Sequence, residues 1–402
     1  MNYLTEKKYV FAWSASFLQR DSGGTLPIAE ITERYERDTR IRFDEADRGL
    51  ISKHAIDAAA EIWKATATDA VLSGVSFRPP ETIFRKPVLY VHSDTVINVN
   101  SKFNEKGGLS TRGAGNCGVA CGLFCAYCSS GAVMKWNNQT DILRVLGLDH
   151  SDVVIRRLDP LETARRQLTN PDGSPLYADP EDTGIVELAS IVDPLATPEL
   201  MRETTKLARL IFELTHWRVR VLSKSRLLAK FARQFVGDER RRLLLGFSIG
   251  IPEDDVARSV EVNAAPASMR FRLHRELLEE GFPMFGMSCP VLAVPDFRAL
   301  AERIAAEIQP ERLEKVWCEA INVRGDSIIR TIAALKKGGH DDLARRLGHA
   351  SRSKIAWEIE YNRRAFLGFK EVMGDKLAYL TYVTPESETW WSEYAKEGAV
   401  LL

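Results

Sequence analysis

Cysteine is scarce in this sequence, with 6 residues among 402. So few cysteines exclude a small secreted fold held together by disulfides, and they favour the reducing cytoplasm as the compartment. Long apolar runs are also lacking, because the N-terminal run YVFAWSASFL at 9–18 is shorter than the roughly 18 residues of a membrane span. This run has neither a preceding basic cluster nor a following small-residue cleavage pattern, so we expect no signal peptide and no membrane association.

An excess of charge of one sign is missing as well, since 55 Lys and Arg residues balance 55 Asp and Glu residues. A neutral chain exerts no long-range attraction on a polyanion, so any nucleic-acid surface must be local. The remaining composition, with 45% hydrophobic and 27% charged residues, is that of an ordinary globular protein large enough for a sizeable core.

The chain divides into three segments by its hydrophobic pattern. Charged and Ala-rich sequence with apolar positions at helical spacing fills 28–75, and it predicts two helices in an N-terminal helical segment, 1–84. The segment 85–330 opens with a β-branched run at 88–99 that predicts a strand. The last segment, 331–402, is predicted to be a mainly helical C-terminal extension.

From residue 184 onward, apolar and β-branched runs alternate with amphipathic stretches. Strict alternation of strands and helices predicts an α/β fold with a parallel sheet, either open or closed into a barrel. Such sheets carry their functional groups at the carboxyl ends of the strands. The predicted strands are 184–193, 218–225, 241–251, 282–294, 315–323 and 377–383, and the predicted helices between them are 198–216, 226–236, 268–281 and 296–308.

Four of the six cysteines crowd into one stretch, CGVACGLFCAYC at 117–128. Thiols at such short spacing bind soft metals, because several thiolates can converge on one centre without long-range folding. One interpretation is a structural zinc site, but zinc sites join two pairs of ligands separated by about a dozen residues or more. The four ligands of that interpretation would be Cys117, Cys121, Cys125 and Cys128.

The other interpretation uses only the last three cysteines. Cys121, Cys125 and Cys128 have the spacing C-x3-C-x2-C with an aromatic residue, Tyr127, before the last cysteine. This pattern resembles the signature of the radical S-adenosylmethionine (radical SAM) superfamily. The resemblance implies that these thiolates hold a [4Fe-4S] cluster and leave one iron open for S-adenosylmethionine. It further implies reductive cleavage of S-adenosylmethionine to a 5′-deoxyadenosyl radical that abstracts hydrogen from a substrate.

The same resemblance implies an architecture and a partner. The segment 85–330 would be a partial (β/α)6 TIM-like barrel carrying the cluster loop, with 1–84 as an N-terminal helical cap and 331–402 as a C-terminal helical extension. The electron would come from a donor of the flavodoxin or ferredoxin type.

Four later blocks resemble the spore photoproduct lyase and DNA-repair-photolyase-like branch of that superfamily. They are IVDPLATPE at 191–199, VRVLSKS at 219–225, the long block GFSIGIPEDD to SCPVL at 246–292, and EAINVRGD at 319–326. Their order and spacing carry this likeness, since each block alone is weak.

The resemblance assigns residues to the cofactor and the substrate. Lys224 would meet the carboxylate of S-adenosylmethionine, although a lysine at a strand end is otherwise often a solvated surface residue. Ser190 and Asp193 would contact the methionyl amino group or the substrate, or else form an ordinary strand-end turn. The other implied cofactor contacts are Tyr127, Ser223, Ser225 and Ser248, and the implied substrate contacts are Asn322 and Arg324.

One position departs from the family pattern. Spore photoproduct lyases carry a cysteine that returns a hydrogen atom to the product radical, and here Ser190 takes that place. The O–H bond of a serine is too strong to give its hydrogen atom readily to a carbon radical. We therefore expect no repair of spore photoproduct by that route. Cys117, Cys289 and Cys318 remain as candidate hydrogen donors, against the alternative that they are buried and inert.

Three functions stay open from the sequence. The first is a radical SAM enzyme acting on a nucleic acid or nucleotide, supported by the resemblance and by a density of basic residues between 202 and 243. The second is a radical SAM enzyme acting on a small molecule or peptide. The third is a non-catalytic protein with structural zinc.

Overall fold

The computed structural model describes residues 75–76, 82–83, 86–91, 93, 95–99, 107–130, 154–321 and 326–402. The predicted helices within 28–75, together with Asn322 and Arg324, lie outside the described residues. The chain divides into two compact units. The first takes residues up to 94 with 118–122 and 130–160, and the second takes 95–117, 123–129 and 161–402.

The described strands are short and are numbered here in chain order. They are β1 (Val75–Ser76), β2 (Thr82–Ile83), β3 (Lys86–Val91), β4 (Ile97–Asn98), β5 (Ala114–Gly115), β6 (Gly118–Ala120), β7 (Val154–Arg157), β8 (Ile185–Leu188), β9 (Arg218–Ser223), β10 (Leu243–Phe247), β11 (Gly286–Val291), β12 (Val316–Ala320), β13 (Leu377–Thr381) and β14 (Ala399–Leu401).

The helices with described bounds lie along the chain between β7 and β14, with one or more between successive strands. They are α1 (Pro160–Leu168), α2 (Pro198–Leu214), α3 (Leu227–Ala232), α4 (Gly237–Arg241), α5 (Asp254–Val260), α6 (Ala267–Glu279), α7 (Phe297–Ile308), α8 (Ser327–Lys337), α9 (Asp341–Ala350), α10 (Lys354–Ala356), which runs into a π-helical turn (Trp357–Asn362), α11 (Arg363–Met373) and α12 (Glu388–Glu393).

The first unit contains one sheet in the order β1-β3-β7-β6, with β2 beside β3. Strands β3 and β7 are parallel, in the register Val88 opposite Val154. The other pairs in this sheet are antiparallel. The predicted strand at 88–99 is therefore two strands in the structure, because β3 ends at Val91 and β4 begins only at Ile97 in the second unit.

Parallel pairing dominates the second unit. One sheet has the order β10-β9-β8-β5-β4, parallel from β5 to β10, and the other has the order β11-β12-β13-β14, parallel throughout. Two parallel bridges, Leu245 with Met284 and Ser248 with Met287, connect the two sheets where β10 lies beside β11. The prediction of an α/β fold with parallel sheets is thus confirmed.

Local sequence explains where these elements begin. Strand β10 reads LLLGF and is buried along its whole length, as expected of a central parallel strand covered on both faces. Helix α2 begins where the Thr197 side chain accepts a hydrogen bond from the Leu200 amide at 3.2 Å, with Pro198 at the first helical position. Helix α7 begins in the same way at Asp296.

The core between the strands of the second unit includes a buried cation. Trp317 and Phe285 belong to a buried cluster, and the Arg220 guanidinium lies 4.4 Å from the Trp317 ring centroid. Arg220 also donates to the main-chain oxygen of Leu109 and, at 3.1 Å, to Glu314. Because these groups supply acceptors and ring faces, the cation is tolerated inside the core. Within the described part of the chain, no helix has both the length and the apolar character required to cross a bilayer.

Candidate functional site

The carboxyl ends of β8 and β9 are joined through Asp193. Its carboxylate accepts hydrogen bonds from the Ser223 hydroxyl at 2.8 Å, from the Lys224 amide at 2.6 Å and from the Leu195 amide at 2.9 Å. Burial raises the pKa of Asp193 above its ordinary value, although these hydrogen bonds oppose the shift. Ser223 in turn accepts from the Ser225 amide at 2.9 Å. Asp193 therefore fixes the backbone from which the Lys224 side chain projects.

Lys224 meets the residue before the last cysteine of the motif. Its ammonium nitrogen lies 5.4 Å from the centroid of the Tyr127 ring, close enough for a cation–π contact. Burial lowers the pKa of Lys224, but nearby acidic groups, above all Glu261, more than offset it and raise the pKa above its ordinary value. Lys224 is thus a cation at neutral pH.

Tyr127 heads a buried polar network. Its hydroxyl donates to Glu261, and Arg270 donates both to Glu261 and to the main-chain oxygen of Ser248. Glu261 is 3% exposed and Arg270 is 0% exposed, so each charge depends on the other for compensation. The Ser248 hydroxyl continues the network by donating to the main-chain oxygen of Cys289 at 2.6 Å. Burial is also the main reason why the pKa of Tyr127 is raised well above its ordinary value.

Sequence reasoning did not single out Glu261 or Arg270. The signal for Arg270 was present, because it occupies a buried position on the apolar face of α6, beside Phe271 and Leu273. A buried arginine on an amphipathic helix requires an acidic partner, and Glu261 at the end of α5 supplies it.

Main-chain contacts hold the loop between the second and third motif cysteines. The Ala126 amide donates to the Val260 oxygen at 2.7 Å, and the Cys128 amide donates to the Cys125 oxygen at 3.0 Å. Arg330, from α8, donates to the Cys128 oxygen at 2.7 Å. Arg330 is a third residue that the sequence motifs did not indicate.

The motif cysteines have the chemistry of a soft-metal donor set. All six cysteines lie within the described residues and none forms a disulfide, while Cys121, Cys125 and Cys128 are partly exposed. Three thiols on one short loop fit the three protein ligands of a [4Fe-4S] cluster. The described residues contain no group of three His, Cys, Asp or Glu side chains already gathered to hold a metal ion. Cys121 belongs to the first unit, whereas Cys125 and Cys128 belong to the second.

The two cysteines on later strands point in different directions. Cys289 packs against the interior cluster that contains Met287 and Trp317, and its thiol donates to Glu319 at 3.4 Å. Cys318 alternates with Trp317 along β12 and therefore lies on the opposite face, fully buried. Burial raises the pKa of both thiols well above the ordinary value, so both keep their S–H bonds at neutral pH.

Ser190 and Cys117 complete the set of predicted residues within the described chain. Ser190 is exposed after β8, and its hydroxyl accepts from the Asn116 side chain at 3.4 Å. Asn116 also accepts from the Ile191 amide at 3.2 Å, which ties the end of β8 to the end of β5. Cys117 is buried beside Asn116 at 3% exposure.

Comparisons with known proteins give structural likeness only. No family model and no curated protein matches the chain. A cysteine-to-serine variant of spore photoproduct lyase aligns with a TM-score of 0.44 and 13% identity, covering 69% of this chain and 78% of that one. Spore photoproduct lyase complexed with dinucleoside spore photoproduct aligns with a TM-score of 0.39 and 12% identity, covering 62% of this chain and 66% of that one.

A third similar structure is a double variant of spore photoproduct lyase with bound AdoMet and dinucleoside spore photoproduct. It aligns with a TM-score of 0.41 and 13% identity, covering 69% of this chain and 78% of that one. All three of these solved structures are of spore photoproduct lyase.

Proposed function

We propose that this chain is a radical SAM enzyme, in which Cys121, Cys125 and Cys128 hold a [4Fe-4S] cluster. When bound, the cluster supplies the electron that cleaves S-adenosylmethionine to a 5′-deoxyadenosyl radical, which abstracts hydrogen from the substrate. One observation carries the proposal: the loop of the motif meets Lys224 and the buried network at the carboxyl ends of β9 and β10. Ligands of parallel α/β folds bind at those ends.

The strand order supports the proposed architecture. We propose that β5 and β8 to β12 are the six parallel strands of a partial (β/α)6 TIM-like barrel, because they pair in sequential order through ladders and bridges. Strands β13 and β14 continue the same parallel sheet into the C-terminal extension. The proposed boundaries remain 85–330 for the barrel, 1–84 for the helical cap and 331–402 for the extension.

The chain's own residues bind and orient the cofactor in this proposal. Lys224 places its ammonium against the carboxylate of S-adenosylmethionine, and Asp193 holds the backbone of Lys224 in position. Ser248, Ser223 and Ser225 line the same strand ends. Tyr127 covers the loop and excludes water from it, and its contact with Glu261 keeps the ring in place.

Cys289 is the hydrogen donor that the geometry supports best. Its thiol faces the interior of the strands, whereas Cys318 lies on the opposite face. Donation would break the S–H bond of Cys289, form a C–H bond on the substrate radical and leave the unpaired electron on sulfur. The electron donor of the flavodoxin or ferredoxin type and the cytoplasmic location remain part of the proposal.

Two substrate classes remain under this proposal. Sequence resemblance supports a nucleic acid or nucleotide, and a small organic molecule or peptide is the second candidate. The specific observation that favours the second candidate is a cavity beside Glu319 whose lining carries more acidic than basic side chains.

The test is anaerobic purification followed by incubation with dithionite and S-adenosylmethionine. We expect a brown protein that contains iron and sulfide and that releases methionine and 5′-deoxyadenosine. Joint replacement Cys121→Ala, Cys125→Ala and Cys128→Ala should remove the colour and both products, while the matched control Cys117→Ala keeps them. A colourless wild-type preparation with one bound zinc would refute the proposal of a radical SAM enzyme. It would support the alternative of a non-catalytic protein with structural zinc.

A further inference from the structure

The second unit contains a cavity of about 780 Å³ at the carboxyl ends of β12 and β13. This volume lies within the range of sites that enclose small organic ligands. The strand residues Glu319, Ala320 and Thr381 line it, and most of the remaining lining residues belong to the C-terminal extension. The extension thus covers the end of the sheet where ligands of parallel α/β proteins bind.

The π-helical turn shapes one wall. Four of its six residues face the cavity: Trp357, Glu358, Ile359 and Asn362. A π-helical turn is rare and occurs frequently at functional sites, because it rotates side chains out of the ordinary helical order. Here it presents a ring, a carboxylate, an aliphatic chain and an amide to the same space.

The ring of Trp357 packs against an aromatic neighbour that is itself hydrogen-bonded on both sides. It meets Tyr361 edge to face, with centroids 4.5 Å apart. The Tyr361 hydroxyl donates to the Val291 oxygen and accepts from the Ile321 amide at 3.0 Å, so the supporting ring cannot turn freely. A pre-oriented aromatic wall favours a ligand with a planar ring.

The charges around the cavity disfavour phosphate. Of the two lining cations, Arg363 donates to Glu358 at 3.1 Å and lies 4.5 Å from the Trp390 ring centroid, so its charge is already compensated. The other charged residues of the lining are one cation, Lys354, and two carboxylates, Glu319 and Glu386. Proteins bind the nucleic-acid backbone by neutralising phosphates with Lys and Arg, and this lining lacks the surplus of such cations.

A continuous set of contacts joins the cavity to the cofactor residues. Glu319 accepts from the Cys289 thiol at 3.4 Å, and the Cys289 main-chain oxygen accepts from Ser248. A ligand that touches Glu319 is therefore next to the thiol and close to the cofactor end of the strands.

We infer that this cavity binds an uncharged or cationic small molecule that carries a planar ring and no phosphate group. Identifying this molecule as the substrate rests on the proposed function, whereas the cavity's preference for it does not. The ring would lie on Trp357, and a ligand ammonium or N–H group would face the lining carboxylates.

The test is calorimetric titration of the full chain, in its cluster-free form, with probes that share one ring and differ in charge. Tryptamine, an indole with an ammonium group, should bind at least about tenfold more tightly than indole-3-acetate. Thymidine 5′-monophosphate and a short DNA duplex should give no heat of binding that differs between the wild type and a variant with a filled cavity. Tighter binding of the acetate or the nucleotide, or no binding of tryptamine at millimolar concentration, would overturn the inference.

Matched variants locate the binding site. Ile359→Trp fills the cavity from an exposed position and should weaken tryptamine about tenfold or more. Leu367→Trp makes the same change at an exposed position of α11 outside the cavity and should leave the affinity unchanged. Ile355→Trp, also exposed in the lining, is the replacement if Ile359→Trp unfolds. Equal affinities in the cavity variant and the control would exclude this cavity as the site.

Cleavage of S-adenosylmethionine by the same preparations, after reconstitution, separates the two proposals. Binding of tryptamine without any cleavage refutes the proposed function alone. Cleavage without binding refutes the cavity's assignment alone.

Discussion

Glu261 and Arg270 lie where neither charge can reach solvent, and together they connect the cysteine loop to the end of β10. A buried ion pair adds little stability compared with apolar residues of the same volume. Removal of one partner is different, because it leaves an uncompensated charge in the core. The network therefore gives the loop a defined position. Breaking the network should cause a large loss of stability.

We expect Arg270→Ala to lower the free energy of unfolding by about 3–5 kcal/mol, because Glu261 and the Ser248 oxygen lose their donor. Urea unfolding measures this effect. The control is Arg298→Ala, since Arg298 pairs with Glu302 and Glu371 on the surface, where solvent screening leaves ion pairs with little effect on stability. Equal losses in the two variants would show that the buried network has no special role in stability.

At the scale of elements, close approach of the backbone fixes the junction between β10 and β11. A Cβ atom on Gly250 would lie 2.0 Å from the Pro290 oxygen, so no other residue fits there without movement of the backbone. Gly348, in the last turn of α9, is different, because the nearest atom to its Cβ position is 3.7 Å away.

Gly250→Ala and Gly348→Ala should therefore change stability in opposite directions. The first should destabilise by more than about 2 kcal/mol through the clash, and the second should stabilise by about 0.5–1 kcal/mol through helix propensity. Thermal unfolding of both variants beside the wild type measures the difference. A neutral Gly250→Ala would mean that the two strand ends separate easily.

The elements themselves follow well from the sequence, and their ends do not. Periodicity predicted the strand at 315–323 and the helix at 198–216, and the structure has β12 and α2 there. The predicted strand at 218–225 stops at Ser223, because the Lys224 amide turns towards Asp193. Such endings depend on partners distant in sequence, which periodicity does not report.

The same limit applies to the candidate site. Lys224 and Ser248 were singled out because they stand in recognisable motif positions next to strand ends, and their roles stay predictions. The contact between Tyr127 and Glu261 spans 134 residues, and no local pattern pairs them. Arg330 contacts the loop across 202 residues and was missed for the same reason.

At the scale of the whole molecule, two buried groups act on stability in opposite directions as the pH changes. Burial lowers the pKa of His274 to about 4, and its ring nitrogen lies 3.1 Å from the Ile308 oxygen. Burial raises the pKa of Glu187 to about 7, against the opposing charge of Arg220. His274 contributes stability above its ordinary pKa of about 6.5, and that stability is lost as the pH falls towards 4. Glu187 contributes stability below its ordinary pKa, and that stability is lost as the pH rises towards 7.

Because the two windows overlap between about pH 4.5 and 6.5, the two contributions oppose each other in the wild type. In Glu187→Gln, only the pH dependence caused by His274 remains, so the free energy of unfolding of this variant falls on acidification relative to the wild type. His274→Gln should leave the carboxyl slope, so this variant loses stability as the pH rises through the same window. Relative to the wild type, the free energy of unfolding of each variant should change by about 3 kcal/mol between pH 4.5 and 7, as measured by urea unfolding. Parallel curves for both variants would show that these groups titrate alike in the folded and unfolded chain, and that burial does not control their charge.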